Sequence, residues 1–501
     1  RHERNREGKW LQVDSGSIFI SRFSAMRKFG LILFTALVLS LTGCTSDKVE
    51  PGPVPPEPEN PQPEPQPEDK HGIAYIYDGA ILPEIHLTVP LDQWNTLLDA
   101  YDRNHDTKEQ VHCDVRYVKG TEETVVKDAG LRLRGNTSRR RPEGQDGQKH
   151  VAKNTDWHHC HYQINFRKFI KDDEHKVHGA KKVIVKWPKD DAMYVRELYC
   201  YDLFHRAGVW SASNAAYCRL FIRVVGDSKE TYLGVHTMIE PIDDDFLKVR
   251  KDQFGSSKGN LWKCRYGATF ADAGADIGAD LDDGVEHTYE LKTNTDKLTA
   301  AKSQLQDFIT NAKGKSGKDF HDWIGEHCDV DLLLRTYAVN VACGMWDDYW
   351  CNSNNFYIYF NSTDKENYRF YFIPYDYDNT LGTSGLNMDA GRKDPFNWGD
   401  SGRNYLIHKI IQFDDYREIY RNHLLELVKS ENGLLYYNSS IQRIKGWHKM
   451  ISEYIVNDTG EDCVLEDRPA LWGNHGEYRL LEIGTNNFFM AKTISINQYC
   501  K

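Results

Sequence analysis

The strongest constraint on this chain is a predicted β-hairpin whose entering and leaving loops are both crowded with acidic and amide side chains. Residues 356–360 and 368–373 alternate as strands do, and a polar turn joins them. The second strand of a hairpin runs back beside the first, so the loop before the hairpin and the loop after it lie at the same end and can meet. We therefore expect Asp347 and Asn355, which precede the hairpin, to lie close to Asp376, which follows it.

These residue types suit the transfer of a phosphoryl group to a hydroxyl. A carboxylate positions the nucleophile and accepts its proton, while an amide oxygen and a second carboxylate hold Mg²⁺. Protein kinases use the same order of Asp, Asn, hairpin and Asp. Here the interval from Asp347 to Asn355 is longer than in kinases, and the HRD and DFG motifs are absent. From the residues alone, a calcium site or a solvated loop rich in Asn and Asp remains an alternative.

The rest of the sequence mixes helical and strand patterns and predicts an α+β fold. Residues 192–207 predict a helix that ends at Gly208, and 216–225 with 232–240 predict paired strands. Residues 73–77 look like a short strand. Helical patterns mixed with loops fill 404–501, which suggests a helical C-terminal extension.

Charge and motifs exclude several classes of function. The 501 residues carry a formal net charge of -11, so a general nucleic-acid binder, which needs a basic surface, is not expected. The sequence has no GxSxG, HExxH, P-loop or GxGxxG motif. Of its 11 cysteines, none forms a CxxC pair, and both disulfides and buried free thiols stay open for the others.

The first 70 residues indicate export and anchoring. Residues 1–25 look foreign to the protein, and 26–43 have the charged start and apolar run of a signal peptide. A small residue precedes Cys44, as in the lipobox of bacterial lipoproteins, so we expect cleavage there and a lipid on Cys44. Residues 44–70, rich in Pro and Glu, predict an extended spacer. The folded part, 71–501, would then be periplasmic or on the cell surface.

Several segments resemble the CotH family of atypical, protein-kinase-like phosphotransferases, in the family's order. The resemblance covers roughly residues 74–400, and its most specific parts flank the hairpin. The segments are LRLRGNTSR (131–139), MYVRELYCYDLFHRAGV (193–209), YLGVHTMIEPIDDDFL (232–247), GNLWK (259–263), WDDY…NNFYIY (346–359) and FYFIPYDYDNTLG (370–382).

The resemblance implies a diverged kinase-like fold, with a mixed, β-rich N-terminal part and a helical C-terminal part. It implies binding of ATP with Mg²⁺ or Mn²⁺ and phosphorylation of protein hydroxyls. Asp347 would be the catalytic base, since the family places the acid directly after Trp346. Asn355 and Asp376 would be metal ligands, with Asp378 on the same side of an extended segment.

Phosphate binding is assigned to several candidates. Arg134 precedes a Gly-Asn turn where an anion could approach the backbone, although a structural carboxylate partner is equally open. Lys182 and Lys186 share a strand face, and VIVK (183–186) is similar to the lysine strand of kinases, with a solvent-facing lysine as the alternative. Glu240 ends an apolar strand and is a candidate neighbour of adenine.

Two further features bear on the assignment of the phosphate-binding residues. Arg196 and Glu197 lie on the helix that would match the kinase regulatory helix, and one of them could pair with a lysine or form only a surface salt bridge. The family usually carries lysines around 159–166, where this chain reads HCHYQINF. This departure favours a second hypothesis, a catalytically inactive surface scaffold.

A third hypothesis is a carbohydrate-binding surface lipoprotein, in which aromatic residues near the hairpin stack on sugars. Core packing of the same rings is the alternative. We expect a monomer whose partners are a protein substrate and, through the lipid, a membrane. The aromatic residues concerned are Trp346, Tyr349, Trp350, Tyr375 and Tyr377.

Overall fold

A computed structural model describes residues 72–281, 285–386, 388–470, 473 and 477–501. The predicted signal segment, Cys44 and the spacer lie outside these residues. Within them the strands are β1 (Glu84–Val89), β2 (Val111–Lys119), β3 (Glu122–Arg134), β4 (His161–Asn165), β5 (Lys182–Lys186), β6 (Ala215–Val224), β7 (Thr231–Ile239), β8 (Asn260–Cys264), β9 (Ile277–Ala279), β10 (Tyr289–Leu291), β11 (Phe356–Phe360) and β12 (Phe370–Pro374).

The helices occur between these strands and dominate after residue 298. They are α1 (Leu91–Arg103), α2 (Arg196–Arg206), α3 (Asp244–Val249), α4 (Lys251–Phe254), α5 (Leu298–Gly314), α6 (Gly317–His327), α7 (Val330–Ala342), α8 (Tyr349–Asn352), α9 (Tyr405–Ile410), α10 (Asp414–Val428), α11 (Tyr437–Ile451) and α12 (Phe488–Tyr499). The predicted α+β class is confirmed. No helix of the described chain is both long and apolar enough to cross a membrane.

The first seven strands close into a barrel, which the sequence did not predict. Their order is β1-β2-β3-β4-β5-β7-β6, and β6 pairs in parallel with β1 to complete the ring. Side chains from one face of each strand can fill the barrel. In β2, for example, buried and half-buried residues alternate along the whole strand. Closure leaves no free strand edge in this sheet. It also fixes the ends of β3, β4 and β5, which face the candidate site.

The second sheet carries the predicted hairpin. Its order is β12-β11-β8-β10-β9, so β11 lies between its hairpin partner β12 and strand β8. All residues of β11 and β12 are buried. Helix α7, most of whose residues are buried, packs in the same core, and Asp329 begins it by accepting the Leu332 N–H at 3.0 Å. The hairpin is therefore held from both faces.

Two predicted elements differ from the structure. The predicted strand at 73–77 is a short 3₁₀ turn over Ile73–Tyr75, and the Tyr75 carbonyl accepts from the buried Lys119 ammonium instead of a neighbouring strand. The helix predicted from residue 192 begins only at Arg196. Asp191 accepts backbone N–H bonds from Val195 and Arg196, and this local capping delays the first helical turn.

The ten cysteines between residues 113 and 500 are all free thiols. The sequence left both disulfides and free thiols open, and the structure has free thiols. Eight of them are buried and two are half-buried. Burial raises the pKa of Cys264 and of Cys351 well above the ordinary value for a thiol. These residues behave as small apolar core residues.

Candidate active site

The hairpin brings its two flanking loops together, which confirms the central prediction of the sequence. Strands β11 and β12 pair antiparallel, with Phe356 opposite Pro374. Asn355 and Tyr375 are therefore the first residues beyond the paired end. Asn355 and Asp376 both adopt the left-handed backbone region, with φ of 52° and 65°. Such conformations are uncommon for residues other than Gly and often mark functional sites.

Asp347 lies in this neighbourhood and is surrounded by amide donors. Its Oδ1 accepts from Asn352 and Asn354 at 2.6 and 3.1 Å, and its Oδ2 accepts from Asn355 Nδ2 at 2.9 Å. Because Asn355 donates through its nitrogen, its carbonyl oxygen is the atom left for a metal. Burial raises the pKa of Asp347 to about 6, and the charges of Asp376 and Asp378 add to this rise. The three carboxylates are thus within electrostatic reach of one another.

Asp348 has a different role from its neighbour. It caps α8 by accepting the Cys351 N–H at 2.9 Å, and it accepts from Asn340 Nδ2 at 2.6 Å. The Tyr377 hydroxyl completes this buried group by donating to Asn340. Burial raises the pKa of Asp348 to about 7. Its oxygens are therefore occupied by the fold, whereas those of Asp347 face the loop that carries Asn355.

Lys186 connects the barrel to the hairpin loop. From the end of β5 its Nζ lies 2.5 Å from Asp376 Oδ1, 3.2 Å from Asp378 Oδ2 and 2.8 Å from Glu197 Oε2. Glu197 is on α2 and is only 8% exposed, so the pair that the sequence left open is buried and not a surface salt bridge. Arg196 pairs instead with Asp191. The solvent-facing alternative for Lys186 is wrong.

Acidic side chains outnumber basic ones around Lys186. Burial opposes ionisation of Asp376, but Lys186 outweighs it and lowers the pKa of Asp376. Burial raises the pKa of Asp378, and it raises that of Glu197 to about 8. Three acidic side chains, Glu197, Asp376 and Asp378, thus share the Lys186 ammonium, and Asp347 lies nearby without a basic partner of its own among the described residues. Carboxylate and amide oxygens with an excess of negative charge fit a divalent cation such as Mg²⁺ or Mn²⁺.

Two of the predicted phosphate or nucleotide residues are engaged elsewhere. Lys182 Nζ lies 3.1 Å from Asp243 Oδ2, beyond the end of β7. Glu240 is 4% exposed, and its two oxygens accept from Arg250 at 2.8 and 2.7 Å. Asn214 also donates to Glu240, from both its backbone and its side chain. The contacts of Glu240 are those of a buried structural ion pair.

This pair allows a prediction about stability. We expect Arg250→Met to lower the free energy of unfolding by about 3–5 kcal/mol, because it leaves the Glu240 charge buried without its partner. Chemical denaturation of both proteins measures the difference. The double variant Arg250→Met with Glu240→Gln should recover part of the loss. Equal stability of Arg250→Met and the parent would contradict the structural role of the pair.

Arg134 does reach the site, and one further cation there was missed. Arg134 Nη2 donates to Tyr375 Oη at 2.8 Å, directly beside Asp376. Lys263 of β8 places its ammonium 5.4 Å from the centre of the same Tyr375 ring. Burial, reinforced by Arg265 and Arg134, lowers the pKa of Lys263 well below its ordinary value. The signal was present in the segment GNLWK, but only the sheet order brings its lysine to the hairpin.

The aromatic residues around the hairpin are mostly core residues. Trp346 is 6% exposed, and Tyr349, Trp350 and Tyr377 are 2% exposed or less. Tyr375 is half-buried, and its ring packs edge-on against Tyr357 with centroids 5.2 Å apart. The low exposure of these rings agrees with core packing, the alternative to stacking on sugars.

Comparison with known proteins identifies the family of the chain. A family model described as CotH kinase protein matches residues 131–478, which include Arg134, Lys186 and the whole hairpin with its flanking loops. No curated protein matches the chain. Since the family model covers well over half of the 501 residues, the chain belongs to the CotH kinase protein family.

Proposed function

We propose that this protein is a metal-dependent phosphotransferase that moves the terminal phosphoryl group of ATP to a hydroxyl of a protein. The observation that carries this proposal is the contact of Lys186 with Glu197, Asp376 and Asp378. Protein kinases hold their phosphate-binding lysine by a helix glutamate and place a metal-binding Asp after a hairpin. The order of these residues along the chain is the same here, which supports a diverged kinase-like fold.

Each side chain then has a defined task. Asp347 accepts the proton of the attacking hydroxyl, whose oxygen forms the new bond to phosphorus while the bond to the ADP oxygen breaks. Asn355 Oδ1, Asp376 and Asp378 would hold Mg²⁺ or Mn²⁺, which neutralises charge on the phosphates. Glu197 orients Lys186 toward the same phosphates. Asn352 and Asn354 fix the carboxylate of Asp347 by hydrogen bonds to Oδ1.

We also propose that the enzyme is exported and attached to a bacterial membrane by a lipid on Cys44. The support is the signal-like segment 26–43 and the small residue before Cys44. The spacer up to residue 70 would hold the folded part away from the bilayer. An acceptor protein would then be met on that side of the membrane.

The test is transfer of labelled phosphate from ATP by the full chain with Mg²⁺ or Mn²⁺. We expect label on the protein itself or on an added acceptor, and its loss on chelation of the metal. Calorimetry with ATP and metal provides a second measurement. Absence of both transfer and ATP binding at millimolar concentration would instead support the inactive scaffold.

A further inference from the structure

Two polar side chains beside Asp376 have no task in the mechanism above. His161 begins β4 and lies opposite Arg134 in the barrel register. Lys263 lies on β8 of the other sheet, opposite Tyr357 of β11. The Lys263 ammonium lies 5.4 Å from the ring of Tyr375, the residue before Asp376. His161 is hydrogen-bonded to Trp187, the residue after Lys186, and Lys186 itself contacts Asp376. In agreement with these positions, Lys263 and His161 both lower the pKa of Asp376, after the larger effect of Lys186.

His161 presents a hydrogen-bond donor without an acceptor. Its Nδ1 accepts the backbone N–H of Trp187 at 3.0 Å, so the neutral ring carries its proton on Nε2. The residue is 2% exposed, and Nε2 has no hydrogen-bond partner among the described residues. A buried donor left unpaired destabilises the fold, and a ligand acceptor would remove this cost.

Lys263 has no acidic partner in the described part of the chain. No carboxylate of the described chain lies within 4.0 Å of its ammonium, and the nearby Glu290 is shared by Arg265 and Lys292 at 3.1 and 3.2 Å. Arg134 adds a further positive charge at the Tyr375 hydroxyl. The positive side of the site thus consists of Arg134, Lys186 and Lys263. It faces the acidic side formed by Asp376 and its neighbours.

The ligand that suits these donors is an anion with several oxygens. A phosphoryl group accepts hydrogen bonds from ammonium, guanidinium and neutral N–H donors at once. The loop 348–354, which follows the proposed base Asp347, contains no Lys or Arg. Positive charge for the transferred phosphoryl group must therefore come from another element, and β8 is adjacent to the hairpin.

We propose that Lys263 and His161 bind the phosphoryl oxygens of the nucleotide beside Asp376, with Arg134 holding Tyr375 in place between them. This inference rests on the proposed function, because it names the side chains that hold its phosphate. It also assigns a role to part of the segment HCHYQINF, where the family's usual lysines are absent. A lysine from the second sheet supplies the missing charge.

The experiment uses the full chain and the variants Lys263→Met, Lys263→Arg, His161→Asn and His161→Gln. Gln can place an amide N–H near the position of Nε2, whereas Asn cannot reach it. The affinity for ATP–Mn²⁺, pyrophosphate and adenosine is measured by calorimetry. Lys127→Met, an exposed residue of β3 paired with Asp114, is the control.

We expect Lys263→Met and His161→Asn to weaken ATP–Mn²⁺ and pyrophosphate about tenfold each, the effect of one charge-assisted or buried hydrogen bond. Adenosine binding should not change, and Lys263→Arg and His161→Gln should recover part of the affinity. Because Lys263 is unpaired without ligand, Lys263→Met should be at least as stable as the parent. A merely structural lysine would give a less stable variant.

The outcomes separate this inference from the proposed function. Parent-like affinity of Lys263→Met and His161→Asn for both phosphate ligands would overturn the subsite and leave the phosphotransferase standing. If the parent bound pyrophosphate but not ATP, and Lys263→Met lost it, the subsite would stand and the proposed function would fall. A parent that bound neither ligand would overturn both.

Discussion

Asp347→Asn is expected to lower the rate of phosphoryl transfer by about 10²–10⁴-fold, the usual contribution of a general base. The amide cannot accept the proton of the hydroxyl, but it keeps the size of the carboxylate, and its one oxygen can still accept from Asn352 and Asn354. Affinity for ATP–Mn²⁺ should change little. Transfer of labelled phosphate under single-turnover conditions measures the rate, and calorimetry measures the affinity.

The neighbouring acid provides the matched control. Asp348→Asn alters the cap of α8 and the bond to Asn340, so we expect a loss of stability of about 1 kcal/mol. The rate per folded molecule should stay near that of the parent. If Asp348→Asn lost transfer and Asp347→Asn kept it, the assignment of the base would be reversed.

Asp376→Asn is expected to lower transfer by about 10²–10³-fold, the range for removing one fixed electrostatic group from a transition state. Here the affinity for metal should fall as well, because the proposed site loses a charged ligand. The pKa of Asp376 lies below its ordinary value, so the carboxylate is ionised throughout the neutral range in the parent. Titration of Mn²⁺ in the presence of ATP measures the loss.

Asp364→Asn is the control for this second prediction. Asp364 lies at the opposite end of the same hairpin, where it accepts the N–H groups of Glu366 and Asn367. The variant should bind Mn²⁺ and transfer phosphate as the parent does. Parent-like activity of Asp376→Asn would remove this residue from the metal site and, with it, the kinase-like order of ligands.

Local patterns in the sequence were sufficient for the hairpin and its polar ends. Strand alternation and a polar turn set the pairing, and the pairing alone places Asn355 beside Tyr375. The same kind of argument gave the paired strands 216–225 and 232–240, which appear as β6 and β7. It failed at residues 73–77, because the Tyr75 carbonyl there bonds to Lys119, 44 residues away.

Local sequence patterns could not predict which side chains pair across the fold. The sequence suggested that Glu240 lies near adenine, yet its position opposite Arg250 depends on how the residues after β7 fold back on it. Lys182 and Lys186 share a strand, but one pairs with Asp243 and the other with Asp376. Lys186 enters the site because it lies at the end of β5, whereas Lys182 lies at the start of the same strand.

By itself, the sequence determined the α+β class, the hairpin and the family resemblance, because these follow from short-range periodicity and from the order of motifs along the chain. Only the tertiary structure decided that Lys186 meets Asp376, 190 residues further on, and that Arg134 and Lys263 both reach Tyr375, the residue before it. The physical reason is that barrel closure and sheet order bring together residues whose local patterns carry no information about each other. The chemistry of the site depends on those long-range contacts.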